Sequence, residues 1–178
     1  MDIFEAFKKR YSHKDGFLPD AVPLADLERI AQAGLDAPSG RNRQTVRLII
    51  LPNRAAIEPV CAVSPTIGLE TTPAAIAVLT DKTLTPENEF NFEKEDYSAA
   101  TENMLLAATA LGYSSLWLDS PYFDREKEKQ ARAVLSVPEA YRLWAVLPIG
   151  KPNGEGSRRE KLPFEERVYY QYFLSNPR

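Results

Sequence analysis

The longest helical pattern in the sequence is the stretch DYSAATENMLLAATALGYSSLWL, residues 96–118. Up to Gly112 its apolar side chains recur at helical spacing, and we expect Asp96 or Ser98 to cap the helix. Many of these side chains are alanine, so another backbone can approach closely. The helix is therefore expected at the centre of the protein or at a subunit interface. The segment SSLWL that follows has the composition of a short strand.

Shorter patterns on either side of this stretch predict three further helices and four further strands. Apolar side chains at helical spacing predict helices near residues 3–7, 24–35 and 125–135, and apolar or aromatic runs predict strands at 46–51, 74–80, 143–150 and 168–174. This order predicts one α+β domain in layers, residues 1–178. The last run, VYYQYFL, is expected to complete the sheet of a second subunit, because a bare aromatic edge strand is unfavourable.

The composition is typical of a cytoplasmic protein. Of its 178 residues 44% are apolar, and no segment approaches the roughly 18–20 consecutive apolar residues of a membrane span. The N-terminus lacks the order of a secretion signal, and the net charge of −3 argues against a nucleic-acid surface. Cys61 is the single cysteine, which excludes an internal disulfide, and with only His13 besides we expect no metal site.

Three polar segments are candidate binding elements. In KKRYSHK the residues Arg10, Ser12 and Lys14 alternate, so an extended segment places them on one side, where they suit a phosphate or an electron-rich carbonyl. The segments PSGRNRQ, 38–44, and SRREK, 157–161, are also rich in hydrogen-bond donors. Each segment has a simpler interpretation: a solvated helix end, a turn after a helix, and a mobile basic loop.

No side chain stands out as catalytic. A Ser-His-Asp set would have to recruit His13, which we expect to be exposed between two polar neighbours. The carboxylates of Glu93, Glu95 and Asp96 are explained as helix caps or solvated charges. The residues alone therefore name no catalytic group.

Taken in order, these segments resemble the FMN-dependent nitroreductase family. RYSHK is similar to the family's R-x-S-x-R/K start, and APSGRNRQ to its A-P-S-x-x-N-x-Q loop. The stretch 96–118 resembles the family's central helix and following strand. LSVPEAYRLWAVLPIGKP is similar to L-G-I-P-x-x-Y…P-x-G-x-P, and REKLPFEE to the basic motif before the last strand. The match is collinear and spans nearly the whole chain.

The resemblance implies a fold and a cofactor. The implied fold is a central mixed, mainly antiparallel sheet flanked by helices, with the C-terminal segment exchanged across a homodimer. The implied cofactor is FMN. Its 5′-phosphate would be surrounded by residues of the first and last basic motifs, namely Arg10, Ser12, Arg159 and Lys161, with Tyr11 in the first motif.

The remaining implied contacts concern the rest of the flavin. The ribityl chain or the pyrimidine edge of the ring would face Lys14, Asn42 and Gln44. The loop residues Pro38, Ser39 and Gly40 would reach the flavin of the partner subunit. The isoalloxazine ring would lie near the strand residues Leu116, Trp117 and Leu118.

The implied activity is electron transfer from NAD(P)H through FMN to a nitroaromatic, a quinone or a related small acceptor, by a ping-pong mechanism. Such chemistry requires no protein acid or base, because the cofactor carries it. Two other interpretations stay open. One is a differently specialised flavin enzyme, such as a dehalogenase or a flavin-fragmenting enzyme, and the other is a non-catalytic flavin-binding or interaction protein.

Overall fold

The computed structural model describes residues 1–85, 90–156 and 158–173, and its centre is a four-stranded antiparallel sheet. The strands are β1 Val46–Leu51, β2 Ala74–Asp81, β3 Ser114–Ser115 and β4 Tyr141–Gly150. They lie in the order β1-β2-β4-β3. All residues of β2 are buried, which is why this strand has an uninterrupted apolar sequence. One isolated parallel bridge joins Ser12 to Ser115.

Within these ranges the structure has six α-helices: α1 Ile3–Lys9, α2 Leu24–Leu35, α3 Arg54–Val63, α4 Ile67–Thr71, α5 Glu93–Ala110 and α6 Arg125–Val134. On one face α2 and α5 pack against β2 and β4 through residues such as Ile30, Met104 and Ile76. On the other face α3 and α6 pack through Val60 and Ala131. Successive β2 side chains therefore enter opposite cores. No helix within the described ranges is long and apolar enough to cross a bilayer.

The central helix α5 confirms the position expected for it and corrects its start. Ala100 and Ala108 are fully buried, and α5 packs against α2. The helix begins at Glu93, after Phe92, so the expected cap at Asp96 or Ser98 is wrong. The reason is that the Asp96 carboxylate accepts hydrogen bonds from a distant loop instead of from its own helix.

Most of the other predicted elements are confirmed. The helices α2 and α6 lie where they were predicted, and the Asp2 and Asp124 side chains cap α1 and α6 by accepting backbone hydrogen bonds. The third strand is shorter than expected, because only Ser114–Ser115 pair regularly with β4 and Leu118 adds an isolated bridge to Val146. The helices α3 and α4 were not predicted.

The C-terminal run does not form the predicted strand within one chain. Residues 168–173 contain no strand, and Leu174 lies outside the described residues. Tyr170, Tyr172 and Phe173 are 78%, 72% and 83% exposed, so these rings have little to pack against in a single chain. The exchange of this segment across a dimer stays a prediction.

Candidate functional site

The N-terminal segment and the loop near residue 158 enclose a cleft of about 370 Å³. We call it the basic cleft. Its lining residues are Arg10, Tyr11, Ser12, His13, Lys14, Asp15, Gly156, Arg158, Arg159 and Lys161. Two segments far apart in sequence therefore meet at one place, as the two basic motifs predicted.

Backbone pairing with β3 holds the first wall of the basic cleft. Ser12 bridges Ser115 in parallel, and the His13 amide donates to the Ser115 carbonyl at 3.0 Å. The Tyr11 hydroxyl lies 3.0 Å from Ser114 Oγ. The segment is extended here, as predicted, and its charged and hydroxyl side chains project towards the opposite basic loop.

The charge of the basic cleft suits a phosphate. Its five cationic residues face the single lining carboxylate of Asp15. Arg10 contacts Glu102 at 3.6 Å, and Arg158 donates to the Lys8 carbonyl at 3.3 Å. Guanidinium and ammonium donors beside the Ser12 hydroxyl match the oxygens of a phosphate monoester. The donor set thus fits the phosphate of FMN.

His13 is buried rather than exposed, so this expectation was wrong. Only 1% of the residue is accessible, and its ring meets Tyr11 and Phe17 edge to face, with centroids 5.8 and 5.0 Å apart. Its Nε2 is hydrogen-bonded to the Gly16 carbonyl. His13 therefore shapes the inner wall of the basic cleft. The apolar Phe17 four residues further on was the available signal for its burial.

The second candidate element is the 38–45 loop, which contains unusual backbone conformations. Arg41, Asn42 and Gln44 have φ values of 53°, 54° and 51°, in the left-handed region that non-glycine residues rarely adopt. Such conformations persist only when the surrounding structure fixes them. Within the loop the Gln44 amide donates to Ser39 Oγ at 2.9 Å.

The carboxylate of Asp96 fixes the loop to α5. Its Oδ1 accepts from the Gly40 amide at 2.7 Å, and its Oδ2 accepts from Thr45 Oγ1 at 2.6 Å. Asp96 is 2% exposed and Thr45 is fully buried. Gly40 also presses on Phe92, where an added Cβ would lie 2.2 Å from a ring carbon. No spacing rule predicts this role from sequence, because the partners are more than 50 residues apart.

A second cavity, of about 540 Å³, lies between the 38–45 loop, α2 and β1. Its lining includes Pro38, Ser39 and Gln44 together with the apolar side chains of Val46 and Leu48. In the sheet β1 is an edge strand. The cavity therefore extends from the polar loop along an unpaired sheet edge.

The structure brings only part of the predicted site together. The basic cleft adjoins β3 and the 38–45 loop adjoins β1, and these are the two edges of the sheet, about 14 Å apart by strand spacing. Lys14 lines the basic cleft, and Gln44 lines the cavity between the 38–45 loop, α2 and β1. Asn42 lines neither of them. One chain alone thus does not place Asn42 and Gln44 beside Lys14.

Of the predicted ring-facing residues after β3, Leu116 and Trp117 are half-buried and Leu118 is buried. Leu118 is 8% exposed and pairs with Val146. Trp117 meets Tyr97 edge to face at 6.0 Å, and Tyr97 stacks on Trp144 at 4.7 Å. Burial raises the pKa of Tyr97, so its phenol stays neutral. The Trp117 Nε1 is buried and finds no acceptor in the part of the chain that the structure describes.

The fold and the basic cleft define an α+β protein of the nitroreductase type. The Nitroreductase family profile matches residues 7–70 and 66–151, so the chain belongs to the nitroreductase family. It is 36% identical over 132 residues to a protein of Archaeoglobus fulgidus provisionally named an NADH dehydrogenase/NAD(P)H nitroreductase, a match covering 73% of this chain and 74% of that protein. The family inferred from the motifs is confirmed.

Solved structures agree on the fold. A protein of Parabacteroides distasonis with the same provisional name has a TM-score of 0.83 at 24% identity, covering 96% of this chain and 98% of that chain. A provisionally named nitroreductase of Desulfovibrio desulfuricans, solved in complex with FMN, has a TM-score of 0.76 at 25% identity, covering 98% and 99%. The predicted fold class is therefore confirmed, whereas the exchange of the C-terminal segment is not tested.

Proposed function

We propose that this protein is an FMN-dependent oxidoreductase that transfers electrons from NAD(P)H to a nitroaromatic, a quinone or a related small acceptor by a ping-pong mechanism. The observation that carries the proposal is the basic cleft, in which two distant cationic segments converge beside β3. Its donor set fits a phosphate monoester, and the relative from Desulfovibrio desulfuricans was solved with FMN.

In this proposal the chain's own residues bind and orient the cofactor. Arg10, Ser12, Arg159 and Lys161 hold the 5′-phosphate, and Lys14 lies further along the same extended segment, beyond Tyr11. FMN, when bound, supplies the hydride-accepting and electron-donating chemistry. The protein then needs no acid or base of its own, which agrees with a cleft that contains no evident catalytic pair.

We further propose that the working unit is a homodimer of single-domain chains. A second copy would supply the loop residues Pro38, Ser39, Gly40, Asn42 and Gln44, which one chain keeps at the opposite edge of its own sheet. Leu116, Trp117 and Leu118 would support the ring from behind. The exposed aromatic rings of the C-terminal run are the surface that such an assembly would cover.

The test begins with an absorbance spectrum of the purified protein, which should show flavin bands, and with identification of the released flavin as FMN. Oxidation of NADH or NADPH should then depend on an added nitroaromatic or quinone and give parallel double-reciprocal plots. A protein that binds no added FMN overturns the cofactor assignment. A flavin-loaded protein that reduces no acceptor supports the non-catalytic or differently specialised alternatives instead.

A further inference from the structure

A third cavity, of about 310 Å³, lies between α6 and the start of β4. We call it the α6 cavity. The cationic residues that line it, together with Glu128, are Lys82, Arg125, Lys129, Arg132 and Arg142. On α6 the residues Arg125, Lys129 and Arg132 follow the i, i+4, i+7 spacing of a single helical face. The helix therefore turns three of its cationic residues towards one cavity, and Arg125 and Lys129 stay exposed to solvent.

The α6 cavity is separate from the basic cleft. The cleft adjoins β3, which pairs with the last residues of β4, whereas the α6 cavity is lined by Tyr141 at the first residue of that strand. The length of β4 separates the two ends by about 30 Å. A ligand in the basic cleft therefore does not fill the α6 cavity.

The cations of the α6 cavity are largely uncompensated. Glu128 already accepts from Arg132 Nε at 2.7 Å and from the Leu143 amide at 3.0 Å. In the ranges that the structure describes, no carboxylate lies within 4.0 Å of Lys82, Arg125, Lys129 or Arg142, and the Arg142 guanidinium lies over the ring of Trp144. Within those ranges four positive charges thus have no carboxylate partner, in a chain of net charge −3. Their mutual repulsion contributes nothing favourable to the fold.

The frame of the α6 cavity is rigid. Glu128 links α6 to β4 by accepting from the Leu143 amide, and its second hydrogen bond, within α6, holds Arg132, whose side chain is only 14% exposed. Tyr122 is 1% exposed and lies against the cavity, and burial raises the pKa of its phenol, so it stays neutral. The Arg132 guanidinium held by Glu128 and the exposed cations Lys82, Arg125 and Lys129 around it form a site that suits an anion.

We propose that the α6 cavity binds a small anion with two linked phosphate groups, either a free diphosphate or the diphosphate of a nucleotide. A diphosphate with a free terminal phosphate carries a charge of about −3 at neutral pH, so it offsets more of the four unpaired cations than a single phosphate of about −1.5 to −2 does. The proposal stands without the flavin assignment, because none of its residues belongs to the basic cleft.

The test is titration of inorganic pyrophosphate into FMN-supplemented protein by calorimetry. Lys129→Glu changes a cavity residue, and Lys127→Glu makes the same charge change on the same helix outside the cavity. We expect saturable binding at one site, weakened about tenfold or more by Lys129→Glu and less than about twofold by Lys127→Glu. Inorganic phosphate should bind about tenfold more weakly than pyrophosphate.

The proposal is overturned if pyrophosphate does not bind saturably, if both variants lose binding equally, or if phosphate binds as tightly. Calorimetric titration of ADP separates the two sources of the diphosphate. If ADP binds at least as tightly as pyrophosphate and is weakened by Lys129→Glu, the site takes the diphosphate of a nucleotide. If ADP binds more weakly than pyrophosphate, the site takes the free anion. If the protein proves to have no flavin activity, the calorimetric test still applies, because no residue of the α6 cavity belongs to the basic cleft.

Discussion

The basic cleft and the 38–45 loop, which we propose to be two parts of one cofactor site, are held in place by different forces. The cleft consists of charged side chains on a segment that one backbone bridge attaches to β3. The loop consists of left-handed backbone that a buried carboxylate attaches to α5. In the first part most of the charged side chains are exposed to solvent. The second is rigid before any ligand arrives.

This difference follows from what each part contributes. Cations can stay hydrated until an anion arrives, because exposed charges cost little in water. A backbone conformation that is sparsely populated costs about 1–3 kcal/mol for each strained residue, so it must be stabilised within the folded protein itself. The buried Asp96 provides that stabilisation by accepting two hydrogen bonds from the loop. We therefore expect mutations in the 38–45 loop to lower stability and mutations in the basic cleft to lower the affinity for FMN.

The largest expected effect comes from removing residues 164–178, the segment we propose to cross to the partner. This truncation deletes the aromatic side chains of Tyr169, Tyr170, Tyr172 and Phe173. Burial of even one or two of them in a dimer contributes several kcal/mol. We expect the dimer to weaken or fail to form and FMN to be lost with it, although Arg159 and Lys161 are retained. Size-exclusion chromatography with detection at flavin wavelengths measures both the assembly state and the bound FMN.

The competing view, a frayed tail without a role, expects no change. A truncated protein that still elutes as a yellow dimer with unchanged thermal stability rules out the exchange. In that case neither the basic cleft nor the 38–45 loop depends on the C-terminal segment of a partner.

The second largest effect is expected for Asp96→Ala, which removes the attachment of the 38–45 loop. The Gly40 amide and the buried Thr45 hydroxyl both lose a charged acceptor, which costs about 3–4 kcal/mol of unfolding free energy. Asp96→Asn is the matched control. Its amide oxygen still accepts from Gly40, and its NH₂ group can donate to Thr45 Oγ1, so less than half of that loss is expected. Chemical denaturation that gives equal losses for both variants contradicts the attachment.

The basic cleft and the attachment at Asp96 also differ in how far the sequence predicts them. The alternation of Arg10, Ser12 and Lys14 predicted the wall of the basic cleft, because an extended segment has a fixed period of two. Nothing in a local pattern predicts that Asp96 serves a loop more than 50 residues away. Long-range hydrogen bonds are set by tertiary packing, which single-sequence patterns do not describe.

In the fold, too, some elements were predicted from local sequence patterns and others were missed. The strands β2 and β4 were predicted because both of their faces are covered, which requires continuous apolar sequence. The helix α3 was missed although Ile57, Val60 and Cys61 follow helical spacing after the capping Asn53. Its pattern is short, and Pro59 within it is more typical of a break. The described residues of the C-terminal run, 168–173, pair with no strand of the sheet, so the predicted strand stays untested.

The third effect, on affinity rather than stability, is expected for Arg10→Ala in the basic cleft. Loss of a charge-assisted hydrogen bond to phosphate should weaken FMN binding by roughly 1.5–3 kcal/mol, about one to two decades. Riboflavin, which lacks the phosphate, should be affected less. Stability should change little, because the contact of Arg10 with Glu102 is long and partly exposed.

Arg29→Ala is the matched control for this change, since Arg29 also contacts a carboxylate, at 3.5 Å, but lies on α2 outside the cleft. Titration of both flavins into apoprotein makes the comparison. An equal loss for FMN and riboflavin in Arg10→Ala argues against a phosphate contact at this residue.

The smallest effect is expected for Tyr11→Phe, which tests whether backbone pairing alone supports the wall of the basic cleft. The change removes the hydrogen bond between the Tyr11 hydroxyl and Ser114 Oγ and leaves the ring in place against Gly156. One neutral, partly buried hydrogen bond is worth about 0.5–1.5 kcal/mol of stability. Because the Ser12–Ser115 bridge and the His13 amide remain, FMN affinity should stay within about twofold of the parent protein. A tenfold loss of affinity in Tyr11→Phe would instead show that side-chain hydrogen bonds hold the cleft, as they hold the 38–45 loop, and the two parts of the site would no longer differ in kind.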